Sequence, residues 1–340
     1  MKKIIILLLI GTAFSCKNTQ SVTLKDNSDP SKYIDFISEK DLKTMLYVVA
    51  SDEMEGRETG SKGQKKAGLY MIGQYKKHGI SFPKGATDYY QHIPASFLNA
   101  RRNENLPDSE NIWAYIEGSE KPDEVLVISA HYDHVGVKNG DVYNGADDDG
   151  SGTVAVMEMA KAFAKAKKDG HGPKRSILFL HVTGEEHGLH GSRYYSENPL
   201  FPIANTIADI NIDMIGRRDV EHEKTNNYVY VIGADRLSTD LHNIVVAQNE
   251  KYTKIDLDFK FNDPKDPNHF YERSDHYNFA KFGIPSVFFF NGVHEDYHRK
   301  GDEPQKIEYD ALTKRTKLAF SIAWELANRS DRPVVDKPIK

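Results

Sequence analysis

The chain has 340 residues, 39% of them hydrophobic and 28% charged, enough to bury the core of one large domain or at most two. Its formal net charge is −5 and no dense basic patch stands out, which speaks against nucleic acid as a partner. Cys16 is the only cysteine, so no disulfide within the chain and no cysteine-based zinc cage can form.

Lys2 and Lys3, the apolar run 4–10 and the small residues Gly11, Thr12, Ala13 and Ser15 read as an export signal over residues 1–15. The run is too short to span a bilayer as a mature helix. Cys16 follows directly and resembles the lipid-bearing N-terminus of a bacterial lipoprotein, although Ala13 stands where leucine is usual. The expectation is an exported protein, lipid-anchored to the membrane at Cys16 in the bacterial cell envelope; the plainer alternative is a secreted protein with a coincidental cysteine. Residues 16–31 are polar and suit a flexible tether. Residues 32–330 then read as a single domain, and 331–340 as a polar, disordered tail.

Within the domain, Leu42, Met45, Leu46 and Val49 give residues 41–50 a helical apolar face. A turn-rich stretch, 51–61, feeds a second helix over about 63–77, which stops at His78-Gly79. Strands are expected at 89–93 and 111–116. The apolar run 125–130 reads as a buried strand ending in His131-Tyr132-Asp133. A polar loop leads on to Asn144-Gly145-Ala146-Asp147-Asp148-Asp149-Gly150-Ser151-Gly152 and an almost wholly apolar helix. Adjacent aspartates repel unless a cation lies among them, and a divalent metal is the simplest one. A histidine two residues before an aspartate suggests an imidazole held by a carboxylate on one nitrogen, with the other free for metal. A solvated acidic loop or an oxygen-only calcium site would read the same way.

Residues 176–182 form the next buried strand, ending in Thr183-Gly184-Glu185-Glu186-His187. Paired glutamates at a strand end can divide labour, Glu186 holding a metal and Glu185 taking a proton from water. The same pair also suits the first turn of an exposed helix. His187 and His190 lack the H-E-x-x-H order of a zinc helix and read as surface or supporting residues. A strand over 208–215 carries Asp213 near its end, either a ligand or a strand-end cap. A strand at 228–232 and a helix at 238–248 follow. The charged stretch 254–273 reads as a wall or lid over the site, or as a surface loop. Ser274-Asp275-His276 opens a short helix, and 284–290 is another buried strand. His298 follows in a loop, with Asp302 four residues on as an acidic companion, and a helix over about 308–328 closes the domain.

Strands alternating with helices predict a three-layer α/β/α sandwich with a mostly parallel central sheet. His131, Asp133, Asp148, Glu185, Glu186, Asp213 and His298 then converge on one edge, where the strands end. In this order HYD, NGADDDGSG, TGEEHGLHGS, NIDMIG, SDH and YHRKGDE, with EGRETGSKGQKKAGLYM before them, resemble the co-catalytic zinc aminopeptidases of metallopeptidase family 28 over roughly residues 41–328. That family also holds glutamate carboxypeptidase-like enzymes and glutaminyl cyclases.

The resemblance implies two zinc ions per chain. Asp148 would bridge them, with His131 and Asp213 on one and Glu186 and His298 on the other. It also implies that Asp133 orients His131, that Glu185 is the general base, and that Asp275 and His276 support the pocket. Arg299-Lys300-Gly301 departs from the usual threonine-containing link and bears on the pocket rim. The implied activity is removal of the first residue from peptides or small proteins with a free N-terminus, the α-amino group taking a coordination position. A glutaminyl cyclase would share the fold but use one catalytic zinc. A carboxypeptidase-like relative would need a cation for a C-terminal carboxylate, for which Arg273 and Arg299 are candidates. An inactive binding lipoprotein would have lost ligands that this chain retains.

Overall fold

In the computed structural model, residues 29–101 and 104–339 are described; the export signal, Cys16 and nearly all of the tether lie outside them. The strands are β1 (Tyr90–Ile93), β2 (Ser109–Ile116), β3 (Lys121–His131), β4 (Val137–Lys138), β5 (Asp141–Val142), β6 (Arg175–Val182), β7 (Thr206–Ile212), β8 (Tyr228–Ile232), β9 (Asp256–Asp258) and β10 (Ser286–Phe290). Eight make one sheet in the order β1-β2-β6-β3-β7-β10-β8-β9, while β4 and β5 form a small hairpin of their own. The middle of the large sheet, β6-β3-β7-β10, is parallel throughout, and the antiparallel pairings lie towards its edges.

The apolar runs at 125–130 and 176–182 are continuous because both faces of the sheet are covered. Leu126, Ile128 and Ala130 point into one apolar cluster, and Val125 and Val127 into the other. The first face carries the long helices Glu39–Val49, Lys62–Lys77, Gly152–Lys168, Thr239–Gln248 and Tyr309–Asn328. Phe163 stacks on Trp324 there, with ring centroids 5.7 Å apart, and Phe179 and Phe320 lie within 6.3 and 4.6 Å of Phe163. Short helices, His190–Glu197 and His276–Ala280, cover the other face. Three layers with a mostly parallel centre are therefore what the chain forms.

Boundaries shift where side chains cap the backbone. The helix expected from residue 41 starts at Glu39, because Ser38 accepts a hydrogen bond from the Asp41 N–H (3.3 Å). The strand expected over 208–215 stops at Ile212. Beyond it Met214 turns left-handed (φ 60°), and its N–H goes to Asp149 Oδ1 (3.1 Å). The polar tail is not disordered over its described part. Arg332 donates to Glu124 (2.9 Å) and to the Ala204 carbonyl (2.9 Å), and the Asp336 backbone N–H bonds Leu237 O (3.1 Å). Composition predicts disorder there, but these bonds fix the segment to the body. No helix among the described residues is long and apolar enough to cross a membrane.

Candidate metal centre

Register brings the first half of the site together. Ser129 lies opposite Asn211 and His131 opposite Val182, so His131 and Asp213 stand level at neighbouring strand tips, with Glu185 just beyond β6. His131 Nε2 is 3.2 Å from Asp148 Oδ1 and 3.5 Å from Asp213 Oδ1. The second half gathers around the other oxygen of Asp148. His298 Nε2 lies 3.0 Å from Asp148 Oδ2 and 3.0 Å from Glu186 Oε2. The five expected ligands thus meet, and Asp148 turns one oxygen to each group.

The groups ask for cations. Four ligands at about 2.0–2.1 Å around a zinc ion stand roughly 3.3 Å apart, the spacing found here. His131 Nε2, Asp148 Oδ2 and Glu186 Oε1 are buried without an aligned hydrogen-bond partner. Burial should push the His131 imidazole down, yet Asp213, Glu185 and Asp148 hold its pKa well above the ordinary value. Burial likewise opposes protonation of His298, but Asp148 and Glu186 raise it to about 10. Imidazole and carboxylate donors without cysteine, two closely spaced sets and a shared carboxylate suit zinc.

Glu185 is different. Burial first, then Asp213, Glu186 and Asp275, push its pKa well up, as suits a proton acceptor. Its Oε2 is 3.9 Å from His131 Nε2, close to the ligand groups but outside their spacing.

Some expected roles change. Asp133 holds His131 through its backbone carbonyl (3.1 Å from Nδ1), while its carboxylate is 3.8 Å from that nitrogen. The carboxylate instead accepts from Thr59 Oγ1 (2.9 Å) and the Glu185 N–H (3.3 Å), so it braces the segment carrying Glu185. Asp302 is not the companion of His298. It accepts the backbone N–H groups of Asp147 (3.0 Å) and Asp148 (3.1 Å). Asp147 and Asp149 also need no ion of their own. Asp147 accepts from the Gly216 N–H (2.6 Å) and faces His294 Nε2 at 3.2 Å, and Asp149 accepts from the Gly152 (2.8 Å) and His131 (3.2 Å) N–H groups.

Asp275 is fully buried and accepts from Ser192 Oγ (2.5 Å); burial raises its pKa to about 7. His276 stacks on Phe288 at 5.0 Å and is driven down to about 3 by burial, a neutral ring backing the pocket wall. His187 lies between Glu58 (2.8 Å) and Glu104, whereas His190 is buried, not on the surface.

Arg57, Ser274 and His134 carry weight that residue patterns alone do not reveal. The buried Arg57 guanidinium donates to the carbonyls of Val49 (3.0 Å), Tyr132 (2.8 Å), Asn144 (2.6 Å) and Gly145 (2.9 Å), tying together the segments that carry His131 and Asp148. Ser274 Oγ donates to Asp213 Oδ2 (2.7 Å). His134, one residue past the HYD motif, lies beside Glu186 and Asp148. The signals were the arginine within EGRETG and the second histidine of HYDH.

Beside the acidic centre opens a cleft with about 350 Å³ of space, lined by Asp148, Glu185 and Asp213 and walled by Met214, Phe270, Phe288, Phe290, Val293, Tyr297 and Arg273. The stretch 254–273 therefore contributes a wall, through Phe270 and Arg273. Arg299, the other cation considered, is not among the lining residues.

The model of peptidase family M28 matches residues 111–323. A probable zinc metalloprotease of the fungus Pyricularia oryzae is 27% identical over 257 residues, covering 64% of this chain and 50% of the relative. The chain spans about half the length of the curated relatives it matches. Among solved structures, the LapA aminopeptidase of Legionella pneumophila superposes with a TM-score of 0.67 at 20% identity, covering 96% of this chain and 81% of that one. Glutaminyl cyclase of Porphyromonas gingivalis gives 0.63 at 17% identity, covering 84% and 97%. At these identities the likeness is one of fold.

Proposed function

Because the chain belongs to peptidase family M28, we propose that it is a two-zinc aminopeptidase, hydrolysing the first peptide bond of peptides with a free N-terminus. The observation that carries this reading is the split of Asp148, Oδ1 towards His131 and Oδ2 towards His298. When bound, the two zinc ions would polarise the scissile carbonyl and bring the pKa of a shared water towards neutrality.

The chain's own groups do the rest. His131, Asp148 and Asp213 hold one ion, and Asp148, Glu186 and His298 the other. Glu185, with its raised pKa, takes the water's proton and returns it to the departing amine. Its backbone is braced on Asp133, so the carboxylate stays aimed at the centre. The Met214, Phe270, Phe288, Phe290 and Val293 wall receives an apolar first side chain and keeps bulk water from that side. The same reading puts the enzyme in the cell envelope on a lipid at Cys16, as the signal ahead of it suggests. Loss of membrane association in Cys16→Ser would support that placement, and unchanged fractionation would remove it.

A panel of dipeptides with free and acetylated N-termini, assayed before and after chelation and zinc return, tests the activity. Cleavage confined to free N-termini, lost on chelation and restored by zinc, is expected. Equal cleavage of acetylated peptides, or full activity without metal, would overturn it. Ammonia release from a glutaminyl peptide without hydrolysis would assign a cyclase instead.

A further inference from the structure

We propose that His134 is a third protein side chain, beyond Asp148, on the ion held by Glu186 and His298, so that the two metal positions are unequal: four protein donors on one, three on the other. The proposal rests on the two-zinc reading above. His134 is fully buried, and its Nδ1 lies 2.7 Å from Glu186 Oε1 and 3.8 Å from Asp148 Oδ2. Neither ring nitrogen has an aligned hydrogen-bond partner. A buried imidazole left in that state is costly, so it needs an explanation. Without an ion, a proton on Nδ1 lets the ring meet Glu186 Oε1 at 2.7 Å but leaves Nε2 unpartnered; with the proton on Nε2 instead, the Nδ1 lone pair is free to join Glu186 and Asp148 on a cation.

The backbone makes room for this ring. Gly145 has φ 54°, and a Cβ there would come within 2.5 Å of His134 Cγ and Cδ2. Across from it, the His298 ring lies 5.8 Å away and tilted 69°, so the two imidazoles approach the same carboxylates from different sides. The groups of close metal-ligating atoms among the described residues are His134, Asp148 and Glu186, which His298 joins from the rim through Asp148 Oδ2 and Glu186 Oε2 (3.0 Å each), and His131, Asp148 and Asp213, which gains no such extra donor. Four protein donors match a closed zinc site, whereas three leave a position open for water or substrate. The His134 side would therefore hold its ion the more tightly of the two.

Metal-free protein titrated with zinc against a competing chromophoric chelator, for the wild type, His134→Gln and His134→Ala, provides the test, together with long-range proton–nitrogen spectra of the histidine rings in the wild type. The wild type should take two equivalents, the first more tightly, and His134 Nδ1 should shift with that first equivalent. The variants should bind that equivalent about 100-fold or more weakly and the other unchanged, since even outlying partners of metal ligands change affinity by about 10–100-fold. Two equivalents with unaltered affinities in the variants, or an unmoved His134 signal, would make the ring a mere neighbour of Glu186 and overturn the proposal. A wild type that binds no zinc would instead bring down the two-zinc reading itself. If neither variant folds, the wild-type ring spectra decide alone.

Discussion

His131 and Asp213 stand at the tips of adjacent parallel strands, whereas Glu186, His298 and His134 come from connections between elements. The strand-tip pair needs only register to meet: once Ser129 lies opposite Asn211, residues two further on are level. The loop half has no ladder to fix it. It is set by a buried arginine on four carbonyls, by Asp302 on two backbone N–H groups, and by a left-handed backbone at His298 (φ 54°). His298 also keeps more than a third of its side chain exposed, while His131 keeps almost none. One half is thus rigid by architecture and the other by added hydrogen bonds, and substitutions should tell them apart.

Asp148 belongs to both halves and should give the largest effect. Asp148→Asn keeps the shape but removes the shared charge, so activity should drop to background and bound zinc below two per chain; two retained ions would mean that neither half depends on it. Glu185→Gln should come next, with turnover falling about 10²–10⁴-fold. In that variant both ions stay, which metal analysis would show. Loss of zinc from Glu185→Gln would make that side chain a ligand and not the base.

Arg57 and Ser274 separate the halves directly. Arg57→Met leaves four buried carbonyls without donors and should destabilise the protein by about 3 kcal/mol or more, read as a shifted denaturation midpoint. Its residual metal binding should weaken mainly on the Glu186 side. Ser274→Ala removes a hydrogen bond to Asp213 alone. It should weaken zinc on the His131 side by about 10–100-fold with little change in stability. If both variants weakened the two ions equally, the halves would be one coupled unit.

The same contrast governs how much could be read before the fold was known. The strand tips were legible, since a run such as residues 125–130 is apolar on both faces and ends abruptly in His131. Asp213 was legible for the same reason, although its strand stops one residue earlier, at Ile212, where Asp149 captures the next backbone N–H but one. Glu186 is legible in the paired glutamates just past the strand at 176–182, whereas His298 gains its weight from motif order, because nothing in local periodicity tells where a loop returns. Arg57, Asp302 and His294 were missed or misassigned. They act on backbone groups and on a neighbouring carboxylate, and such partners leave no pattern in the residues. The tail misled for a related reason: its backbone bonds to Leu237 are independent of its polar composition.

The smallest effect concerns an imidazole on an apolar face of the sheet, one residue short of a strand tip. His181, on β6, is fully buried against Tyr75, whose hydroxyl lies 2.5 Å from Nε2, and burial drives its pKa down to about 3. No carboxylate offsets the burial, whereas in the loop half of the site Asp148 and Glu186 carry His298 up to about 10. The signs are therefore opposite. In the metal-free protein the His298 contribution is complete below the unfolded value near 6.5 and fades as pH rises towards 10. For His181 the unfolded chain takes up a proton below about 6.5 that the folded chain refuses, so its share of stability falls as pH drops from there towards 3. Each pH unit in that window removes about 1.4 kcal/mol. Against a His181→Gln variant, which keeps an acceptor for Tyr75 but cannot titrate, the wild type should lose about 2 kcal/mol of relative stability between pH 6.5 and 5, measured by urea denaturation. A difference that stays constant with pH would show that the folded protein protonates His181. The apolar face beside Tyr75 would then tolerate charge as readily as the acidic site.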